Sequence, residues 1–223
     1  MAGRVLVVGA SRGIGLELVR QYREAGAQVV ATARDDAGLA RIAATGARAL
    51  RLDVADAVSA SALSWPLDGE RFDVVVHNAG VYGPSTQGLV SPSRADFDAV
   101  MHANVLGAMH VLPLLPELVA PAARVAVVSS RMGSIGLRAN TGGWLYRASK
   151  AALNSLLKDA SLALEGRAVC VALHPGWVRT DMGGAGADLD VADSAAGIRR
   201  VLAGLQPQDN GGFFAWDGAR LNW

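Results

Sequence analysis

Short runs of β-branched and aliphatic residues recur along the chain, at Arg4–Val8, Gln28–Ala33, Ala47–Leu52, Phe72–His77, Arg124–Ser129, Ala168–His174 and Gly212–Trp216. The first six are apolar almost throughout rather than alternating with polar residues. That is the pattern of strands covered on both faces, and hence of a parallel sheet. Between them the spacing changes to steps of three and four, which predicts helices over Gly13–Ala25 and Trp144–Gly166. In the second, Tyr146, Lys150, Leu153, Leu157, Ala160 and Leu164 fall on one stripe. Strands alternating with helices predict a doubly wound α/β sheet with right-handed crossovers. Pro113 and Pro116 remove backbone donors within His110–Pro121, so the helix there should end irregularly. No repeat, low-complexity tract or linker interrupts the pattern, and one domain over residues 1–223 is expected.

Composition narrows the function classes. The 223 residues are 51% hydrophobic, enough for a sizeable core. Lys and Arg number 21 against 20 Asp and Glu, a net charge of +1. A chain built to coat nucleic acid or an acidic membrane concentrates positive charge, and this one does not. The one cysteine, Cys170, can form neither an intramolecular disulfide nor a cysteine metal cage. The N-terminal stretch lacks the apolar run of a targeting segment, and the apolar runs are too short to span a membrane. A soluble protein of the cytoplasm is the expectation. His102, His110 and His174 show no metal-ligand spacing, so they read as structural and no metal is expected.

The first strand runs into Gly9-Ala10-Ser11-Arg12-Gly13-Ile14-Gly15, ahead of a helix. Glycines allow a sharp turn and a close backbone approach to a pyrophosphate, which then sits on the helix N-terminus. The spacing is GxxxGxG, not the commoner GxGxxG, and by itself it is also compatible with an ordinary strand–helix connection. After the second strand, an acid would select the ribose hydroxyl of NAD(H), and arginine the 2′-phosphate of NADP(H). Ala33 stands where the acid belongs and Arg34 follows, with Arg12 placed to flank a phosphate, so NADP(H) is preferred. Asp35 and Asp36 keep NAD(H) open if the strand ends one residue later; otherwise they cap the next helix.

Tyr146 and Lys150 lie four apart, on one helix face. A nearby ammonium stabilises a phenolate and lowers a tyrosine pKa from about 10. Such a tyrosine can protonate a carbonyl oxygen as hydride reaches the carbon. With the motifs around it, the chain from Val5 to about Met182 resembles the short-chain dehydrogenase/reductase family in its compact form, whose fold is a seven-stranded Rossmann-type sheet with helices on both faces. The resemblance implies that Gly9, Ser11, Arg12, Gly13, Ile14 and Gly15 form the phosphate turn. It implies that Asp53 and Val54 contact adenine, and that Asn78-Ala79-Gly80 lies under the cofactor. Asn104 matches the asparagine that holds a water in the proton relay, and Ser130 the serine that binds the substrate oxygen, with Ser129 as the other candidate. Tyr146 matches the acid/base, and Lys150 the lysine that binds the nicotinamide ribose. Pro175, Gly176, Val178 and Thr180 belong to the segment that closes over the nicotinamide. Taken singly, Asn104 also reads as a capping or buried amide and Asn78 as a turn residue.

Departures are few. Val8 replaces a frequent threonine before the first glycine, and His77 replaces the first asparagine of Asn-Asn-Ala-Gly and reads as structural. The loop between Ser130 and Tyr146, with the segment Trp216–Trp223, is similar to the C-factor and sniffer-type carbonyl reductases. That loop is too short to cover the surface through which family members pair, which implies a homodimer or homotetramer. Ala148, Ala151 and Ala152 would serve such a contact or ordinary packing. The glycine-rich Gly183–Asp188 loop suits a lid, and Trp144, Trp177 and Met182 either line an apolar pocket or pack. The expected activity is interconversion of a small-molecule carbonyl and an alcohol. A nucleotide-binding signalling protein or an epimerase on the same fold are the rivals.

Overall fold

The computed structural model describes residues 3–223. Seven strands form one sheet, all parallel, in the order β3-β2-β1-β4-β5-β6-β7. They are β1 Arg4–Val8, β2 Gln28–Ala33, β3 Arg48–Arg51, β4 Phe72–His77, β5 Val119–Val128, β6 Ala168–His174 and β7 Gly212–Ala215. Four of the seven bounds coincide with the apolar runs. β5 starts five residues early because Val119 pairs with Phe72 ahead of a register shift.

Both faces of the sheet are covered. On one, Leu6, Val75, Val125 and Cys170 pack beneath α7 (Trp144–Ala163), which contributes Leu153 and Leu157. On the other, Val76, Ala126 and Val171 pack against Ile198 and Leu202 of α8 (Val191–Gly204) and Leu18 of α1 (Gly13–Glu24). This two-sided burial is the reason that the strands are apolar throughout. The helices α2 (Asp36–Ala44) and α3 (Ala57–Ala62) follow β2 and β3.

One helical stretch, Arg94–Leu118, is long and apolar enough by composition to cross a membrane. The run-length reading did not single it out, because its apolar residues are scattered. It is not one regular helix. α4 (Arg94–Met101) passes into a π-turn over His102–Leu106, then α5 (Gly107–Val111), a 3₁₀ turn at Leu112–Leu114 and α6 (Leu115–Leu118). Pro113 and Pro116 open the last two turns, the irregular end expected from their missing donors. Its residues Val111, Leu115 and Leu118 are buried in the core shared with α7.

Between β1 and β4 the strand order reverses direction. Ligands of such sheets bind at that reversal, outside the carboxyl ends of the strands.

Candidate active site

The turn after β1 is built by tight packing. Gly9 has φ +84°, and a Cβ there would lie 2.6 Å from the backbone of Ala79. A Cβ on Gly15 would lie 2.4 Å from Gly9 O and 2.6 Å from Asn78 Nδ2. Asn78 donates to Gly9 O at 2.6 Å, and Asn78 N and Ala79 N both donate to Val8 O, so the Asn-Ala-Gly segment clamps the turn to β4. On the other side Gly9 N donates to Thr32 Oγ1 at 3.1 Å. That hydroxyl comes from the neighbouring strand, so the missing threonine at position 8 leaves no orphan donor. Gly9→Ala should destabilise the fold by more than about 1 kcal/mol, seen as a lower urea midpoint, because it adds both a clash and left-handed strain.

What the turn leaves open fits a dinucleotide phosphate. The N-terminus of α1 has no side-chain cap and no acid in its first turn, whereas Asp35, Asp56 and Ser93 cap α2, α3 and α4. Thr180 stands beside it, its Cγ2 3.3 Å from where a Gly13 Cβ would be. Arg34 is exposed and its guanidinium makes no bond among the described residues, while Arg41 donates from α2 to Ser11 O at 2.7 Å. Arg12 does not lie free beside them. It pairs with Asp181 at 2.7 Å, both about 70% exposed, a bond weak enough to exchange for another anion. Asp35 accepts from Gly38 N at 2.7 Å and Asp36 pairs with Arg51, so neither acid is spare. Asp53 lies half-buried after β3, its Oδ1 accepting from Ala55 N at 3.0 Å, and the next residue, Val54, gives its carbonyl to His110 Nδ1 at 2.8 Å.

Tyr146, Lys150, Asn104 and Ser130 converge at the carboxyl ends of β4 and β5, each less than a tenth exposed. Ser130 caps the turn Arg131–Gly133, accepting from Met132 N at 3.1 Å, and its hydroxyl lies near enough to the Tyr146 phenol to act on its pKa. Ser129 faces elsewhere, donating to Asn154 Oδ1 at 2.5 Å. Lys150 donates to Val128 O at 2.9 Å, and its Nζ lies 5.7 Å from the centre of the Tyr146 ring. Asn104 occupies the π-turn. Its Oδ1 accepts from Val81 N at 2.7 Å, and its Nδ2 donates to Val81 O at 2.8 Å and to Ser149 Oγ at 2.9 Å. A π-turn at a functional position is a recurrent device, and here it turns the amide toward the loop after β4. The side chain clamps that loop, with both Nδ2 donors engaged and one acceptor site of Oδ1 left over.

The electrostatics correct one expectation. Burial pushes the Tyr146 phenol up to about 12, the Ser130 hydroxyl opposing and Tyr82 adding to the rise. Burial likewise draws the Lys150 ammonium down to about 8. Lys150 does not lower the tyrosine here, because its ammonium is turned to Val128 O and desolvation of the phenolate dominates. His77 is drawn down to about 4 by burial, with Lys150 adding to the effect. Unfolded histidine takes up a proton near 6.5, so the folded state should lose of order 3 kcal/mol as pH falls from about 6.5 to 4. Urea midpoints at neutral and acid pH, with His77→Asn flattening the difference, check this.

Several site residues carry no motif of their own. Tyr82 stacks on Tyr146 with ring centres 4.6 Å apart. A Cβ on Gly143 would lie 2.6 Å from the Tyr82 hydroxyl and 3.1 Å from Met132 Cε, and one on Gly133 would meet Lys150 at 2.8 Å. Glycine at 133 therefore lets the serine loop approach α7. The loop beyond is pinned by Ser134 Oγ, which donates to Asn222 O at 2.7 Å, and by Gly136 N, which donates to Trp223 O at 3.0 Å. Trp144 donates to Val90 O at 2.8 Å. Trp177 donates to Gly183 O at 2.9 Å and, like Met182, remains about half exposed. Pro175, Gly176 and Val178 follow β6 at the same edge. Gly176 has φ +90°, and a Cβ there would lie 2.7 Å from Leu189.

This arrangement has counterparts. The family model described as short chain dehydrogenase matches residues 3–188. The C-signal protein of Myxococcus xanthus is 43% identical over 154 residues, covering 68% of this chain and 92% of that one. A short-chain dehydrogenase/reductase from Burkholderia multivorans, crystallised with bound NADP, superimposes with a TM-score of 0.90 at 31% identity over all of both chains. The carbonyl reductase Sniffer of D. melanogaster does so with a TM-score of 0.85 at 30% identity, again over all of both. With a matched model over most of its length, the glycine turn clamped by Asn78 and the Ser130, Tyr146 and Lys150 cluster in family order, the chain belongs to the short-chain dehydrogenase/reductase family, among its C-factor and sniffer-type members.

Proposed function

We propose that the protein is an NADP(H)-dependent oxidoreductase that interconverts a carbonyl and an alcohol, with Tyr146 as general acid/base. The observation that carries this reading is the convergence of the buried Tyr146, Lys150, Ser130 and Asn104 side chains at the strand edge next to the open glycine turn. NADPH, when bound, supplies the hydride. Tyr146 donates its proton to the substrate oxygen as charge develops there, and Ser130 donates a hydrogen bond to the same oxygen. Lys150 binds the nicotinamide ribose beside the phenol. Asn104 holds the Val81 backbone, and with it the loop that carries Tyr82, against the catalytic helix.

Preference for NADP(H) is supported by the free Arg34 guanidinium, the commitment of Asp35 and Asp36 elsewhere, and the NADP held by the Burkholderia relative. Arg34→Ala should weaken NADPH by about 1–3 kcal/mol, the size of a charge-assisted bond, and leave NADH almost untouched. Fluorescence titration with both nucleotides tests it, and equal losses would overturn the preference. The likeness to C-signal keeps a signalling role as the second reading. Tight NADPH binding with no turnover across aldehydes, ketones and quinones would favour it. A homodimer or homotetramer is supported by exposed Phe97 on α4, Met109 on α5 and Leu162 on α7, apolar positions on the helices through which the family pairs.

A further inference from the structure

The last residue of β4 is a polar side chain for which the proposed chemistry has no use. His77 is 1% exposed, and neither Nδ1 nor Nε2 has a hydrogen-bond partner. Buried polar groups in native proteins are paired, with protein or with ordered water, so an imidazole bare at both nitrogens calls for a partner. Strand alternation locates the ring. Val75, two residues earlier, packs in the core beneath α7, and the register partners of His77, Val8 on β1 and Val127 on β5, belong to that same core. The ring therefore faces the α7 side, where the Lys150 ammonium reaches the carbonyl of Val128, the residue next to the His77 register partner Val127.

Lys150 is under-used as well. An ammonium has three donors, and this one donates to Val128 O alone among the described residues. Neutral imidazole offers one acceptor and one donor, and a buried water needs two to four polar partners. We propose that His77 and Lys150 share one internal water, which accepts an N–H from Lys150 and donates to the imidazole, making His77 a positioning residue of the catalytic pair. A hydrogen bond to the charged form favours that form, so the acceptor behind Lys150 helps to keep an ammonium where burial opposes one. The other titratable groups around the lysine are Tyr146 on its own helix and Tyr82 stacked on Tyr146 from the loop after β4. No carboxylate acts on Lys150 or His77 among the described residues.

The inference rests on Lys150 serving Tyr146 as proposed above, but its test needs neither cofactor nor substrate. The chain has two lysines, Lys150 and Lys158, so ¹⁵N-lysine NMR on the intact protein follows the Lys150 ammonium directly. In the wild type, the ring ¹⁵N shifts of His77 should move as Lys150 titrates near pH 8, far above the ring's own protonation. His77→Phe should lower the lysine pKa by about one unit, and His77→Asn, which keeps an acceptor, should restore most of it. An unchanged Lys150 pKa in folded His77→Phe overturns the proposal. If that variant does not fold, His77 shifts that stay flat through the lysine titration of the wild type overturn it alone. Coupling in a protein that reduces no carbonyl supports the shared water and counts against the reductase reading only.

Discussion

Tyr146→Phe is expected to lower kcat for carbonyl reduction by about 10²–10⁴-fold, the usual contribution of a positioned proton donor. The substitution removes one oxygen and nothing else of size. The ring can keep its stack on Tyr82, with centres 4.6 Å apart, and its buried place at the start of α7, so fold and nucleotide affinity should hold. Ser130 still caps its own turn through Met132 N. Steady-state reduction of any accepted carbonyl, with NADPH titration of the same sample, separates the two effects. A variant that retains turnover would remove Tyr146 from the chemistry. One that loses nucleotide affinity in parallel would show that the phenol positions the cofactor instead.

Asn104→Ala is expected to cost about 3–5 kcal/mol of stability, because it leaves several groups unpaired at once. Val81 N, Val81 O and Ser149 Oγ all bond the Asn104 amide, and the amide is fully buried. Water cannot take their place without opening the contact between the π-turn and α7. The loop after β4 should loosen with it, carrying Tyr82 away from Tyr146, so activity should fall even where the variant remains folded. Denaturant unfolding gives the stability, and amide exchange at Val81 gives the local effect. A loss below about 1 kcal/mol would mean that the clamp is redundant.

Which parts of this protein the sequence exposes follows from distance along the chain. The Tyr146–Lys150 pair, the glycine turn and the Asn78–Gly80 segment are each local, with spacings that fix their geometry within a strand end or a helix turn. Residues whose role arises only through contact between distant segments carry no such mark. Thr32 completes the turn from the next strand and Arg41 reaches Ser11 from α2, while Gly133 admits the serine loop to α7. Asn222 and Trp223 pin the loop that begins at Ser134. Arg12 flanks the glycine turn by its place in the sequence, and only the fold brings Asp181 to it across 169 positions. The different facing of Ser129 and Ser130 is of the same kind, since alternate residues at a strand end face opposite ways and Asn154 claims one of them.

By itself, then, the amino-acid sequence determined the parallel sheet, through two-sided apolar strands, and the placing of Tyr146 and Lys150 on one helix face, through helical periodicity. Tertiary structure decided the protonation of that pair. Whether an ammonium four residues away lowers a phenol depends on where it points and on how much water each group keeps, and packing settles both. Here α7 lies buried against the sheet, Lys150 turns to Val128 O, and burial moves the phenol up and the ammonium down.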